Sequence, residues 1–197
     1  MKIIFFIGTL LVGGKERRLI ELLKYLKENT SYDILLILRQ NKINYTELYN
    51  MGINYNILSN KYIKKDPRLP FYFLSICWKY KPDLIHTWGS MPSFIAILSS
   101  LILHIPLINS QITSAPPKES IAFSQKIVNQ INFAFSNIII SNSYAGIESF
   151  NPPRRKSIVI YNGIDLKRFE NLPDKNLIRE KYGIKTPFAV VMVASFT

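Results

Sequence analysis

Ile3-Ile4-Phe5-Phe6-Ile7-Gly8-Thr9-Leu10-Leu11-Val12-Gly13-Gly14-Lys15-Glu16-Arg17 opens the chain, and its reading decides the fold. The five apolar residues Ile3 to Ile7 read as a strand covered on both faces. From Glu16 to Asn29 the apolar residues recur at helical spacing. A loop between strand and helix can aim the unpaired N–H groups of the first helical turn at an anion. Adjacent glycines, here Gly13 and Gly14, let a ligand approach the backbone because no Cβ stands in the way. Arg17 and Arg18 sit in the first turn, where the helix dipole disfavours cations by about a few tenths of a kcal/mol. A bound phosphate would reverse that penalty. The same stretch also reads as a plain strand-to-helix turn with two solvated arginines.

Outward from this unit, strand and helix signals alternate. Strands are predicted at Tyr32 to Leu38, Ile53 to Leu58, Asp83 to His86, Pro106 to Asn109, Asn137 to Ile140 and Ser157 to Ile160. Helices are predicted at Tyr45 to Met51, from an Asp66 cap with Pro67 to about Tyr80, and at Pro92 to Leu103, Lys118 to Phe135 and Tyr144 to Phe150. Such alternation implies right-handed crossovers, hence an α/β fold with a doubly wound, Rossmann-like parallel sheet. Ligands of such sheets bind beyond the carboxyl ends of the strands. That rim would carry Gly8 to Gly14, His86 to Met91, Ser110 to Pro117 and Ser141 to Tyr144.

Of the 197 residues 48% are hydrophobic, enough for a sizeable core. Net charge is +12, which attracts polyanions, anionic headgroups or phosphorylated substrates. The basic residues are spread along nearly every helix rather than clustered with aromatics, so nucleic acid is not an expected partner. Cys77 stands alone, which excludes a disulfide framework and fits a buried hydrophobe in a reducing compartment. The longest apolar run, Phe94 to Leu103, is short of the ~20 residues that a membrane span needs. The two histidines, His86 and His104, give with one cysteine no zinc set. No G-x-G-x-x-G, P-loop or G-x-S-x-G occurs.

Five signals remain, in order: Gly-Gly-x-Glu-Arg at 13–17, Pro-Asp-Leu-Ile-His-Thr at 82–87, Ile-Ile-Ser-Asn-Ser at 139–143, Ile-Val-Ile-Tyr-Asn-Gly-Ile-Asp at 158–165 and Val-Met-Val-Ala-Ser-Phe-Thr at 191–197. Together they resemble the N-terminal, acceptor-side domain of family 4 glycosyltransferases, retaining enzymes of the two-domain GT-B fold. The resemblance covers nearly the whole chain. It implies that Gly13 and Gly14, with Arg17, face the diphosphate of a nucleotide-sugar donor. It also implies that His86 is the first position of a His-x-His pair near the reacting sugar, with Trp88 at the second. His86 reads equally as a satisfied structural histidine at a strand end. Trp88 could stack on a sugar, and acceptor contacts are expected from Trp88, Ser90 and Ser114. No cofactor or metal is implied. Arg154-Arg155-Lys156 reads as a solvated loop or as a contact with anionic lipid.

The expected organisation is an N-domain over 1–170, a linker and helix over 171–187, and the first strand of a truncated C-terminal nucleotide-sugar domain over 188–197. The buried-looking run Phe188 to Ala194 would be that strand. The implied function is sugar transfer from a nucleotide-sugar donor to a glycan, lipid-linked or small-molecule acceptor. The expected location is the cytoplasm, with peripheral contact at the inner face of the cell membrane. Because the resemblance puts most of the donor site in the second domain, this chain alone is expected to be inactive. The rival reading is a non-catalytic partner subunit that docks a separate donor-binding chain.

Overall fold

The computed structural model describes residues 1–59, 66–163 and 166–192. Among them seven strands form one sheet: β1 (Lys2–Ile7), β2 (Asp33–Gln40), β3 (Asn54–Ser59), β4 (Leu84–Trp88), β5 (Leu107–Ile112), β6 (Ile138–Ser141) and β7 (Ser157–Val159). Their order is β3-β2-β1-β4-β5-β6-β7, and every neighbouring pair is parallel. The order reverses between β1 and β4, where chain leaves the sheet in opposite directions and a crevice opens. Central β1 is apolar at five consecutive positions because both of its faces are covered.

Helices α1 (Gly14–Asn29) and α2 (Glu47–Asn50) lie on one face of the sheet. There Phe5, Ile7, Leu36 and Leu38 pack with Leu19, Ile20 and Leu23 of α1. Helices α3 (Leu69–Tyr80), α4 (Ser90–Leu103) and α5 (Phe123–Phe135) cover the other face. Ile4, Phe6, Ile37 and Ile85 meet Phe73 and Cys77 of α3 and Ile95 and Ala96 of α4 there. The Phe6 and Phe73 rings stack 4.7 Å apart. Helix α6 (Tyr144–Phe150) follows β6, its N-cap Ser143 accepting from Gly146 N–H at 3.0 Å.

The structure corrects several sequence boundaries. Helix α3 begins at Leu69, because the Asp66 carboxylate turns back onto the Arg68 N–H and guanidinium rather than capping a helix at Pro67. The predicted helix Lys118 to Phe135 splits into a 3-10 turn, Lys118–Ser120, and α5, with Ile121 and Ala122 extended between them. Strand β4 continues to Trp88, two residues beyond the predicted end.

Chain contacts divide into two compact units, Met1–Asn162 and Gly163–Thr197. The second contains helix α7 (Lys175–Lys181), capped by Asp174 Oδ1, which accepts from Asn176 N–H at 2.8 Å. The strand expected from Phe188 to Ala194 does not form over residues 188–192, which carry no regular structure and are exposed. Val193 and Ala194 lie outside the described residues, as do Ile164 and Asp165 of the fourth motif.

Candidate functional site

The loop after β1 is held rigidly. Leu10 is fully buried and forms an isolated bridge to Ile43, with Leu10 N–H donating to Lys42 O at 2.9 Å. Tyr45 Oη donates to Gly13 O at 3.2 Å. Gly13 is extended and precedes α1 with no side-chain cap, so the first N–H groups of a 16-residue helix lack a capping side chain. The two glycines differ in their surroundings. A Cβ on Gly13 would run into the carboxylate of Glu16, whereas one on Gly14 would meet nothing within 4 Å. Open space adjoins Gly14.

Across the crevice, Gly89 links β4 to α4 at φ 126°, a backbone region that only glycine adopts without strain. Lys15 Nζ lies 3.8 Å from where a Gly89 Cβ would stand, so the starts of α1 and α4 adjoin.

Charge at this point is divided unevenly. Lys15 pairs with Glu16 at 3.2 Å. Arg17 turns toward α2 and pairs with Glu21 at 2.9 Å and Glu47 at 3.2 Å, so two carboxylates neutralise it. Arg18, one residue on, turns toward β4. Its guanidinium lies 5.7 Å from the centre of the Trp88 ring, and Nη1 donates to Asn162 Oδ1 at 2.7 Å. Among the described residues no carboxylate lies within ion-pair distance of Arg18. Burial pulls its pKa below the usual arginine value, with Glu16 opposing that shift. Arg18 Nε also donates to Gly14 O at 3.3 Å, so its guanidinium is held by neutral acceptors where Arg17 is held by two carboxylates.

His86 lies within β4 and is buried. Nε2 and Ser110 Oγ share a hydrogen bond of 2.7 Å. The ring sits between Phe5 and Trp88, at 5.3 and 5.2 Å. Removal from water pulls the His86 pKa down to about 3, so the imidazole is neutral at ordinary pH. The imidazole is thus enclosed, with Nε2 engaged by Ser110 and the ring packed between Phe5 and Trp88. Trp88 is 6% exposed and joins the same core. Its ring lies beside the Arg18 guanidinium.

Ser90 is also committed inward. Its hydroxyl accepts from Gln125 Nε2 at 2.8 Å, and its carbonyl from Asn132 Nδ2 at 2.9 Å. Gln125, Asn129 and Asn132 form a polar stripe along α5; Asn129 and Asn132 bond Gln111 of β5, and Asn109 donates to Gln111 and to Ser136 at the end of α5. This buried amide layer fixes the start of α4 at the rim. The stripe recurs at i, i+4 and i+7 in the sequence and was readable there as a buried polar face. Ser114 is exposed on the loop after β5. That loop is tied to α6 by Ser149 Oγ donating to Pro116 O, and to the segment after β6 by Asn142 Nδ2 donating to Thr113 O at 3.1 Å. Lys156 caps the C-terminus of α5 through the carbonyls of Ala134 and Ser136, at 2.7 and 2.9 Å. It is a helix cap, while Arg154 and Arg155 remain exposed.

The sequence model of Glycosyltransferase Family 4 matches residues 12–168. The chain belongs to glycosyltransferase family 4. No curated protein matches it in sequence. Solved structures of the same fold include Anabaena Alr3699/HepE in complex with UDP, with a TM-score of 0.76, 22% identity and coverage of 93% of this chain and 50% of that one. A glycosyltransferase from Rickettsia africae gives 0.69 and 22%, covering 94% and 50%. Acinetobacter baumannii MurG gives 0.60 and 12%, covering 83% and 46%. This family 4 chain thus spans about half the length of these structures and has the Rossmann-like architecture of an N-terminal GT-B half.

Proposed function

We propose that this chain is the acceptor-side half of a retaining glycosyltransferase, with the α1 start forming one wall of a nucleotide-sugar cleft. The observation that carries the reading is Arg18. It is a half-buried guanidinium with no carboxylate partner among the described residues, and it adjoins the open space beside Gly14. A desolvated cation next to uncapped helix N–H groups suits a diphosphate, whose charge it would bind through short charge-assisted hydrogen bonds. The HepE structures hold UDP, UDP with glucose, or UDP-glucose, which supports a nucleotide-sugar donor for this chain also. The acceptor, a glycan, a lipid-linked sugar or a small molecule, would lie along the loop that carries Ser114. Asn162, within the fourth motif, holds Arg18 in place.

Departure of a nucleoside diphosphate needs several preorganised positive groups around the leaving oxygen. One arginine and one helix start supply part of that field, so the 197-residue chain alone should not turn over a nucleotide sugar. The exposed apolar run Phe188 to Met192 favours a second reading, a non-catalytic subunit that docks a donor-binding partner. The test is turnover of UDP-glucose by the purified chain, then by the chain joined after Thr197 to a nucleotide-sugar-binding half. The chain alone should release no nucleotide. The joined protein should be active, and Arg18→Ala should lower its kcat/KM about 10- to 100-fold. Turnover by the chain alone, or full activity of the Arg18→Ala fusion, would refute the assignment.

A further inference from the structure

Between β1 and α1 the chain from Gly8 to Gly13 has no regular structure beyond the bridge at Leu10. Hydrogen bonds to a single stretch, 40–45, hold it. Gln40 N–H donates to Gly8 O at 3.0 Å, Leu10 N–H to Lys42 O at 2.9 Å, and Asn44 N–H to Leu10 O at 2.8 Å. Tyr45 adds a side chain to these backbone bonds, its hydroxyl donating to Gly13 O. The same oxygen accepts the first bond of α1, from Arg17 N–H at 3.0 Å. In a planar trans peptide the C=O and the following N–H point opposite ways. Holding the Gly13 carbonyl therefore sets the direction of the Gly14 N–H, one of the uncapped donors at the start of α1. A peptide between two glycines would otherwise turn over readily, since neither carries a Cβ. Tyr45 is itself held. The Arg17 guanidinium lies 6.0 Å from the centre of its ring, and Arg17 Nη1 donates to the two Glu47 carboxylate oxygens at 3.2 and 3.4 Å. These contacts account for a cation in a first helical turn, where the dipole disfavours it.

We infer that Tyr45 is a positioning residue for the nucleotide-sugar site. Its hydroxyl presets the Gly13–Gly14 peptide so that the Gly14 N–H is offered to the diphosphate, and Arg17 with Glu47 steadies its ring. A peptide fixed before the ligand arrives loses less freedom on binding. The inference rests on the nucleotide-sugar reading above. It goes further in giving Arg17 an indirect part, through Tyr45, and no contact with the phosphates.

The test is an amide-shift titration of the isotopically labelled chain with UDP, for the parent and three variants. Tyr45→Phe removes only the hydroxyl and should raise the Kd about three- to tenfold. Its Gly14 amide should show microsecond-to-millisecond relaxation dispersion that the parent lacks. Glu47→Gln loosens Arg17 and should raise the Kd about twofold. Thr30→Ala removes a hydroxyl bond to Leu26 O at the far end of α1. It should lower thermal stability as Tyr45→Phe does, yet leave the Kd unchanged, which separates positioning from a general loosening of the helix. An unchanged Kd for Tyr45→Phe, in a parent that binds UDP, would overturn the inference and leave the nucleotide-sugar reading standing. Equal weakening by Thr30→Ala would do the same. So would a lower Kd for Glu47→Gln, because Arg17, once released, would then be reaching the phosphates. A parent without UDP-dependent shifts at Gly13 and Gly14 would defeat both the reading and the inference.

Discussion

His86 gives the structure a quantitative signature in pH. In the unfolded chain its imidazole titrates near 6.5, whereas burial holds it near 3 in the fold. Between those values the unfolded chain carries a proton that the folded chain does not, so stability rises with pH across this window and is complete above it. Each pH unit inside the window is worth about 1.4 kcal/mol. Lowering the pH from 7 to 5 should therefore remove about 2 kcal/mol of unfolding free energy through this one residue. His86→Gln keeps a group able to hydrogen-bond Ser110 and removes the titration. Urea unfolding of both proteins at pH 7 and pH 5 isolates the effect, because His104 and the carboxylates are common to both and cancel. The parent should lose about 2 kcal/mol more than the variant. Equal losses would mean that water or a ligand reaches the imidazole and that its enclosure between Phe5 and Trp88 is wrong.

Three further outcomes follow from the packing. Gly14→Ala should leave stability unchanged or raise it by up to about 1 kcal/mol, since the Cβ meets open space on a helix. In an active fusion it should nevertheless weaken nucleotide-sugar binding, read as a raised KM. Asn132→Ala should cost about 2–4 kcal/mol in chemical denaturation, because the Ser90 carbonyl and the Gln111 side chain lose a buried donor. Cys77 lies inside the core, and burial pushes its thiol up to about 12. It should react with a disulfide reagent only in denaturant, and prompt reaction of the native protein would contradict the α3 packing.

The sheet was legible because its strands are continuous apolar runs bounded by turn residues, as in Ile34 to Leu38, and its helices show apolar spacing. The site was legible in outline only. His86 and Trp88 lie next to Gly89, a visible turn signal, so they read as rim residues. Two more residues of β4 and the alternation of side chains along a strand carry them inward instead. Arg17 and Arg18 are neighbours in sequence but about 100° apart around the helix. Which of them faces the crevice depends on α2 standing on one side of α1 and β4 on the other. That is a tertiary fact that no local pattern carries. The break at Ile121 and Ala122 has no glycine or proline within it to announce it. Phe188 to Met192 has the composition of a buried strand, but composition does not supply the neighbouring strand that would make it one.

The most direct measurement is a titration of the isotopically labelled chain with UDP and with UDP-glucose, followed by amide chemical shifts. Saturable shifts should concentrate at Gly13, Gly14, Arg18 and Asn162, and they should vanish in Arg18→Ala. Absence of shifts at these residues, or shifts centred on another part of the chain, would contradict the assignment of this rim to the nucleotide-sugar cleft.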